Sequence, residues 1–132
     1  MVEVTVYVET EVNPTESEEK VRVAVNNVLS NATVIVKPGG KGSLLVAEAK
    51  GQDSLLNLRN MMRNDRVRDA ARRFLFKAIR GKTIRFYLNK QVAFAGHVSF
   101  SEETAESPLG PISFKIKTDN AEQLVDWLAE KT

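Results

Sequence analysis

An alternating pattern near the start of the chain constrains the fold more than any other feature. In residues 2–12, valines occupy one side and mostly polar residues the other, which is typical of a strand with one buried face. The pattern returns at residues 111–117, where Ile112, Phe114 and Ile116 share a side. Since such strands are apolar on one side only, we expect helices to cover one face of a sheet and to leave the other partly open.

Amphipathic segments separate the predicted strands. Thr15 is predicted to cap a helix that ends near Leu29, and Asp119 or Asn120 to cap the last one. Between them, a helical region begins at residue 53; it either continues or breaks at Asn64–Asp65, where Asp65 would cap a second helix over residues 66–80. The remaining strands are predicted at residues 32–36, 44–49, 83–88 and 92–100.

These elements predict one α+β domain over residues 1–132, built on a mostly antiparallel sheet of about six strands with helices mainly on one face. The helix over residues 66–80 shows the clearest amphipathic pattern. Its predicted core-facing side consists of Val67, Ala70, Ala71, Phe74, Leu75 and Ala78. Phe76 is predicted to lie on the opposite side, among arginines.

Positive charge is concentrated in residues 52–90. This stretch holds eleven Arg and Lys residues against three Asp, a net charge of +8, whereas the whole chain carries only +2. A basic surface of this kind binds polyanions, because contacts with phosphates release condensed counterions. We therefore predict an RNA-binding surface that contacts the phosphate backbone through Arg59, Arg63, Arg66, Arg72, Arg73, Phe76, Arg80 and Lys82. The alternative is a solvated helix face, with Phe76 buried in the protein or against a partner.

Three short segments together resemble an uncharacterised archaeal family whose members are labelled as RNA-binding by prediction. The segments are Asn13-Pro14-Thr15-Glu16 followed by Glu19-Lys20-Val21, Ser54-Leu55 with Leu58-Arg59, and Arg68-Asp69-Ala70-Ala71-Arg72. The resemblance implies a fold similar to the large-subunit ribosomal protein that binds the small ribosomal RNA. It also implies a relation to proteins proposed as accessories of the archaeal exosome. It brings no catalytic residues.

Catalysis and cofactor binding find little support in the sequence. Cysteine is absent and His97 is the only histidine, so thiolate and histidine-rich metal sites are excluded. Glu102, Glu103 and Glu106 are candidate Mg²⁺ ligands, but an acidic loop is more often simply solvated. We predict a non-enzymatic protein without a metal or other cofactor. The absence of a long apolar run or leader pattern predicts a cytoplasmic protein that does not enter a membrane.

A homodimeric interaction or scaffold module without nucleic-acid binding is the alternative function. Its motivation is an apparent surplus of apolar surface, formed by Phe76, Tyr7, Tyr87 and Phe86. A two-fold symmetric interface would bury the same patch on both subunits.

Overall fold

The computed structural model describes residues 3–39, 42–101 and 110–131, and a single antiparallel sheet organises them. Its strands are β1 (Val4–Val12), β2 (Thr33–Gly39), β3 (Gly42–Lys50), β4 (Ile79–Arg80), β5 (Thr83–Asn89), β6 (Phe100–Ser101) and β7 (Pro111–Thr118). The strand order is β2-β3-β1-β7-β5-β4, and β6 pairs with β5 on the same edge as β4, opposite β7. This arrangement confirms the predicted α+β class and the mostly antiparallel sheet.

Five α-helices lie within the described part of the chain. They are α1 (Glu18–Val28), α2 (Leu56–Asn64), α3 (Arg68–Ala78), α4 (Lys90–Phe94) and α5 (Ala121–Leu128), and a 3₁₀ turn over Gln52–Leu55 precedes α2. Asn120 caps α5, because its side chain accepts the Gln123 N–H at 3.0 Å. The sequence left open whether the two middle helices are continuous; the structure separates them, since α2 ends at Asn64 and α3 begins at Arg68.

One face of the sheet forms the hydrophobic core. Phe86 on β5 lies opposite Phe114 on β7, and their stacked rings have centroids 4.8 Å apart. Both side chains are almost completely buried. The prediction that Phe86 adds to an apolar surface was therefore wrong, because even-numbered β5 residues face the core.

The other face of the sheet, called here the open sheet face, is only partly covered. Tyr7, Tyr87 and Lys115 are half-buried there, and Glu48 and Arg85 are exposed. Lys115 pairs in register with both Tyr7 and Arg85, which places polar and aromatic groups side by side across three strands. The expectation of one covered and one open face is thus confirmed.

The predicted strand over residues 92–100 is wrong over most of its length. Lys90 begins the short helix α4, and the Asn89 side chain caps it by accepting the Val92 N–H at 3.0 Å. Only Phe100 and Ser101 pair as a strand. The Val92–Phe94 alternation indicated a strand because a helix of five residues is too short to display its own periodicity.

Two predicted helix caps also need correction. Ser17, not Thr15, caps α1, and its hydroxyl oxygen accepts the Lys20 N–H at 3.3 Å. Asp65 does not cap α3; its Oδ2 accepts the Val98 N–H at 2.8 Å and its Oδ1 lies 2.9 Å from His97 Nδ1. Burial raises the pKa of Asp65, but these contacts outweigh burial and hold the pKa below its ordinary value of 3.8.

Candidate nucleic-acid interface

Helix α3 lies in a different rotation from the one its sequence predicts. Ala71 and Leu75 are buried, as expected, but Ala70 and Phe74 are exposed. The prediction that Ala70 and Phe74 face the core was wrong. The side of α3 that carries Arg72 contacts α5. Amphipathic periodicity predicts which side of a helix is apolar, but it does not predict which neighbouring helix the other sides contact.

Arg72 binds the C-terminal end of α5. Its Nη1 donates to the Ala129 carbonyl oxygen at 3.3 Å, and its Nη2 forms an ion pair with Asp126. The guanidinium also lies over the ring of Phe76, 4.8 Å from the centroid, in a cation–π contact. Phe76 is half-buried and packs against the core, so the prediction of an exposed stacking ring is corrected.

Three arginines converge on one carboxylate near the C-terminus. Glu130 Oε2 lies 3.1 Å from Arg59 Nη2, 3.2 Å from Arg63 Nη2 and 3.9 Å from Arg68 Nη1. Arg59 is the most enclosed of the three; its Nε donates to the Trp127 carbonyl oxygen at 2.9 Å and its guanidinium lies over the Trp127 ring. Arg59 thus joins α2 to α5, because its side chain both packs on Trp127 and pairs with the charge of Glu130.

The remaining predicted site residues are exposed. Arg66, Arg73 and Lys82 all lie on the surface, as does Arg80. Arg80 Nη1 donates to the carbonyl oxygens of Lys77 at 2.7 Å and Ile79 at 2.8 Å, which satisfies groups at the C-terminal end of α3. In the part of the chain that the structure describes, Arg73 and Lys82 form no ion pair.

The predicted basic surface therefore divides into two groups. Arg59 and Arg72 hold α5 against α2 and α3, whereas Arg63, Arg66, Arg73, Arg80 and Lys82 present charge to solvent. Sequence reasoning missed Glu130, the carboxylate that three arginines share. No local signal identifies it, because it lies 67 residues from Arg63 along the chain.

The other candidate sites of the sequence are His97 and an acidic loop. His97 lies in an irregular segment after α4 rather than in a strand, and its Nδ1 lies 2.9 Å from Asp65 Oδ1. Among residues 3–39, 42–101 and 110–131, no three His, Asp or Glu side chains are grouped to hold a metal ion. Glu102, Glu103 and Glu106 lie outside the described residues. No described helix is long and apolar enough to cross a membrane.

Strands β2 and β3 pair antiparallel as far as Gly39 opposite Gly42. Gly40 and Lys41 lie outside the described residues.

Comparison with known proteins places this fold among archaeal proteins. A family model described as RNA binding matches residues 5–118. The chain is 42% identical over 129 residues to a UPF0201 protein of Saccharolobus solfataricus, covering 98% of this chain and 89% of that protein. It is 45% identical over 123 residues to a UPF0201 protein of Pyrobaculum islandicum, covering 92% and 86%.

Solved structures agree with these relatives. A UPF0201 protein from Methanococcus jannaschii superposes with a TM-score of 0.83 at 28% identity, covering 95% of this chain and 98% of that one. A DUF54 protein from Methanothermobacter thermautotrophicus has the same fold, with a TM-score of 0.61 at 20% identity and 97% coverage of both chains. Similarity to a ribosomal protein and a relation to exosome accessories stay predictions. The chain belongs to the RNA-binding family whose model spans residues 5–118, and its relatives are the archaeal UPF0201 proteins.

Proposed function

We propose that this protein binds RNA without catalysing a reaction, through phosphate contacts made by the outer side of α3. The observation that carries the proposal is a line of exposed cations along α3 and its flanks. Arg73 and Lys77 lie four residues apart in α3 and share one of its sides, while Arg66 precedes the helix and Arg80 follows it. Lys82 extends this line, called here the cationic line.

The cationic line has the properties that backbone recognition requires. Arg73 and Lys77 lie one helical turn apart, about 6 Å along the axis, and both are exposed. Among the described residues neither is engaged in an ion pair, so binding a phosphate breaks no existing contact. Guanidinium groups bind phosphate oxygens with two parallel hydrogen bonds, and lysine adds a point charge. Family membership supports RNA as the polyanion.

Structured RNA is the form of ligand that this surface fits best. The cationic line is mostly charged, and of the two aromatic rings on α3, Phe76 is covered by Arg72 whereas the partly exposed Phe74 packs against Phe100, with ring centroids 4.6 Å apart. Sequence-specific recognition of single strands relies on aromatic side chains that stack on unpaired bases. We therefore assign the RNA contacts to Arg63, Arg66, Arg73, Lys77, Arg80 and Lys82, and assign Arg59, Arg72 and Phe76 to the support of this surface.

Reversing two charges tests the proposal. We expect Arg73→Glu with Lys77→Glu to weaken binding of a structured RNA about hundredfold and to reduce the slope of log affinity against log salt by about two. Fluorescence anisotropy at two or more salt concentrations measures both quantities. Among the described residues neither side chain forms an ion pair, so we expect thermal stability to change little.

Lys37→Glu with Lys50→Glu is the matched control. Both lysines are exposed on the strands β2 and β3, and the pair changes net charge by the same amount. The control is expected to retain affinity within about threefold, because its charges lie far from the bound phosphates. An equal loss in both double variants would mean that only net charge matters, and unchanged affinity in the α3 variant would show that the cationic line is not the site.

A homodimer is the second candidate function, and the charge pattern of the open sheet face favours it. The half formed by β1 and β3 exposes Glu9, Glu11 and Glu48 against one lysine, Lys50. The half formed by β5 and β7 carries Arg85, Lys115 and Lys117. A second copy rotated by 180° would place the acidic half of one face over the basic half of the other.

Light scattering tests the dimer directly. We expect a mass twice the 14.7 kDa of the chain, with dissociation at high salt, because the proposed contacts are ionic. Arg85→Glu with Lys115→Glu is expected to yield a monomer at the same concentration, whereas Arg73→Glu with Lys77→Glu on the covered side is expected to leave the mass unchanged. A wild-type protein that stays monomeric at millimolar concentration would exclude this candidate.

A further inference from the structure

A cavity at the junction of α2 and α3 is lined almost entirely by arginines. It has a volume of about 370 Å³, and Arg63, Arg66, Arg68 and Asp69 surround it. Three guanidinium groups thus face one carboxylate. Because the arginines come from the end of α2, the connecting segment and the start of α3, their side chains approach from different backbone positions.

Glu130 adds a second carboxylate beside the cavity, but it does not neutralise the excess of positive charge. Glu130 contacts Arg63 and Arg68, at 3.2 and 3.9 Å, but it also serves Arg59. About half of the Glu130 side chain is exposed to solvent, as is about half of Arg63. A single exposed carboxylate shared among three arginines is an internal counter-anion that a stronger anion can displace.

The backbone of Arg66 is held in a conformation that does not favour an arginine. Its φ is +58°, in the left-handed region that glycine adopts without steric cost. Glycine at this position would relieve the strain, yet the chain places a long cationic side chain here, at the wall of the cavity. Strained backbone of this kind is concentrated at functional sites.

We propose that this arginine cavity binds a phosphate group of RNA and that Glu130 competes with it from within the chain. A phosphate group presents several strong acceptor oxygens in different directions, and guanidinium forks arriving from separate positions match it. A terminal phosphate has three non-bridging oxygens and a phosphodiester only two, so three guanidinium groups favour the phosphate at an RNA end over one within the strand. This inference rests on the proposed RNA binding and adds the group that the junction recognises.

The test compares RNA oligonucleotides of one sequence that end in either a 5′-phosphate or a 5′-hydroxyl. We expect the wild-type protein to bind the phosphorylated RNA about tenfold more tightly, and inorganic phosphate to abolish that preference at millimolar concentration. Arg66→Gly is expected to remove the preference while keeping or raising the melting temperature, because glycine tolerates the positive φ. Glu130→Gln is expected to increase affinity for the phosphorylated RNA severalfold, because it removes the competing charge.

Asn31→Gly is the matched control. Asn31 is the other described non-glycine residue with positive φ, at +54°, and it is exposed and does not line the cavity. It is expected to reproduce the backbone effect of glycine and to leave the preference for the 5′-phosphate intact. If both RNAs bind wild type equally and Arg66→Gly weakens both, the cavity binds a phosphodiester of the strand and the recognition of an RNA end is overturned.

Two further outcomes separate this inference from the proposed function. If Arg66→Gly leaves every affinity unchanged, the arginine cavity is not a phosphate site. If Glu130→Gln does not strengthen binding, Glu130 does not compete with the phosphate. If the α3 variant Arg73→Glu with Lys77→Glu binds RNA normally while the 5′-phosphate preference persists, the cationic line is overturned and the cavity stands.

Discussion

Replacing Lys90 by methionine is expected to lower the free energy of unfolding by about 3–5 kcal/mol, which chemical denaturation measures directly. Lys90 is only 4% exposed, and its ammonium group donates to Glu16 Oε1 at 2.9 Å and to the Glu11 carbonyl oxygen at 2.6 Å. Methionine has a similar shape but no charge. The substitution therefore leaves the nearly buried Glu16 carboxylate without its cation, and that unpaired charge dominates the cost.

The pH dependence of the unfolding free energy shows whether the unpaired charge of Glu16 causes the loss of stability in Lys90→Met. Burial raises the pKa of Glu16, but the Asn13 N–H, the Lys90 ammonium and the Asn13 side chain together hold it below its ordinary value of 4.5. The stabilisation that the ionised Glu16 carboxylate contributes is therefore fully present above about pH 4.5. It is lost as pH falls through the lower pKa of Glu16 in the folded state. In Lys90→Met the remaining carboxylate is easier to protonate. We expect the difference in stability between wild type and variant to shrink as the solution is acidified below that range.

Glu16→Gln combined with Lys90→Met serves as the control. Removing both charges leaves no unpaired ion, so the double variant is expected to be more stable than Lys90→Met alone. A double variant that is as unstable as the sum of the two single variants would show that the two side chains contribute independently and that their pairing is unimportant.

Replacing Phe86 by alanine is expected to have an effect of similar size, about 3–5 kcal/mol, because it opens a large cavity in the core. Phe86 is 1% exposed, stacks on Phe114, and meets Phe100 edge-on with centroids 5.8 Å apart. Phe100 in turn contacts Phe74 at 4.6 Å, so the chain of rings runs from the sheet to the surface of α3. Loss of Phe86 removes the centre of this chain.

Two further variants show whether packing is responsible. Phe86→Leu keeps most of the apolar volume and is expected to cost about 1–1.5 kcal/mol. Phe94→Ala removes an equally large ring from a position that is 43% exposed and is expected to cost less than about 0.5 kcal/mol. Equal losses for the buried and exposed phenylalanines, measured by denaturant unfolding, would contradict this account.

Local patterning predicts most of the sheet. Alternation in β1 and β7 identifies both the strands and the side of each that is buried, because side-chain direction alternates with a period of two residues. Local chemistry narrows the cap of α5 to Asp119 or Asn120, and the structure assigns it to Asn120, whose side-chain oxygen accepts the N–H of the residue three positions later. These features depend on neighbours in sequence, and a sequence reading reaches them.

The sequence-based predictions fail where a residue far away in the chain decides which element forms or which side chains are buried. The start of α4 is held by Lys90, whose partner Glu16 lies 74 residues away. The rotation of α3 depends on Arg72 and its contact with Ala129, 57 residues away, which takes Phe74 out of the core-facing side. Propensity and periodicity carry no information about such contacts, because they describe only one element at a time.

The candidate interface also has features that the sequence predicts and features that only folding decides. The sequence by itself determined that residues 52–90 carry a large positive charge and that amphipathic helices present it opposite a hydrophobic core. Only the tertiary structure decided which arginines remain available. Arg59 and Arg72 are bound by the C-terminal segment, whereas Arg73 stays exposed. The physical reason is that charge is a property of the residue, while the partner that neutralises it is brought close only by folding.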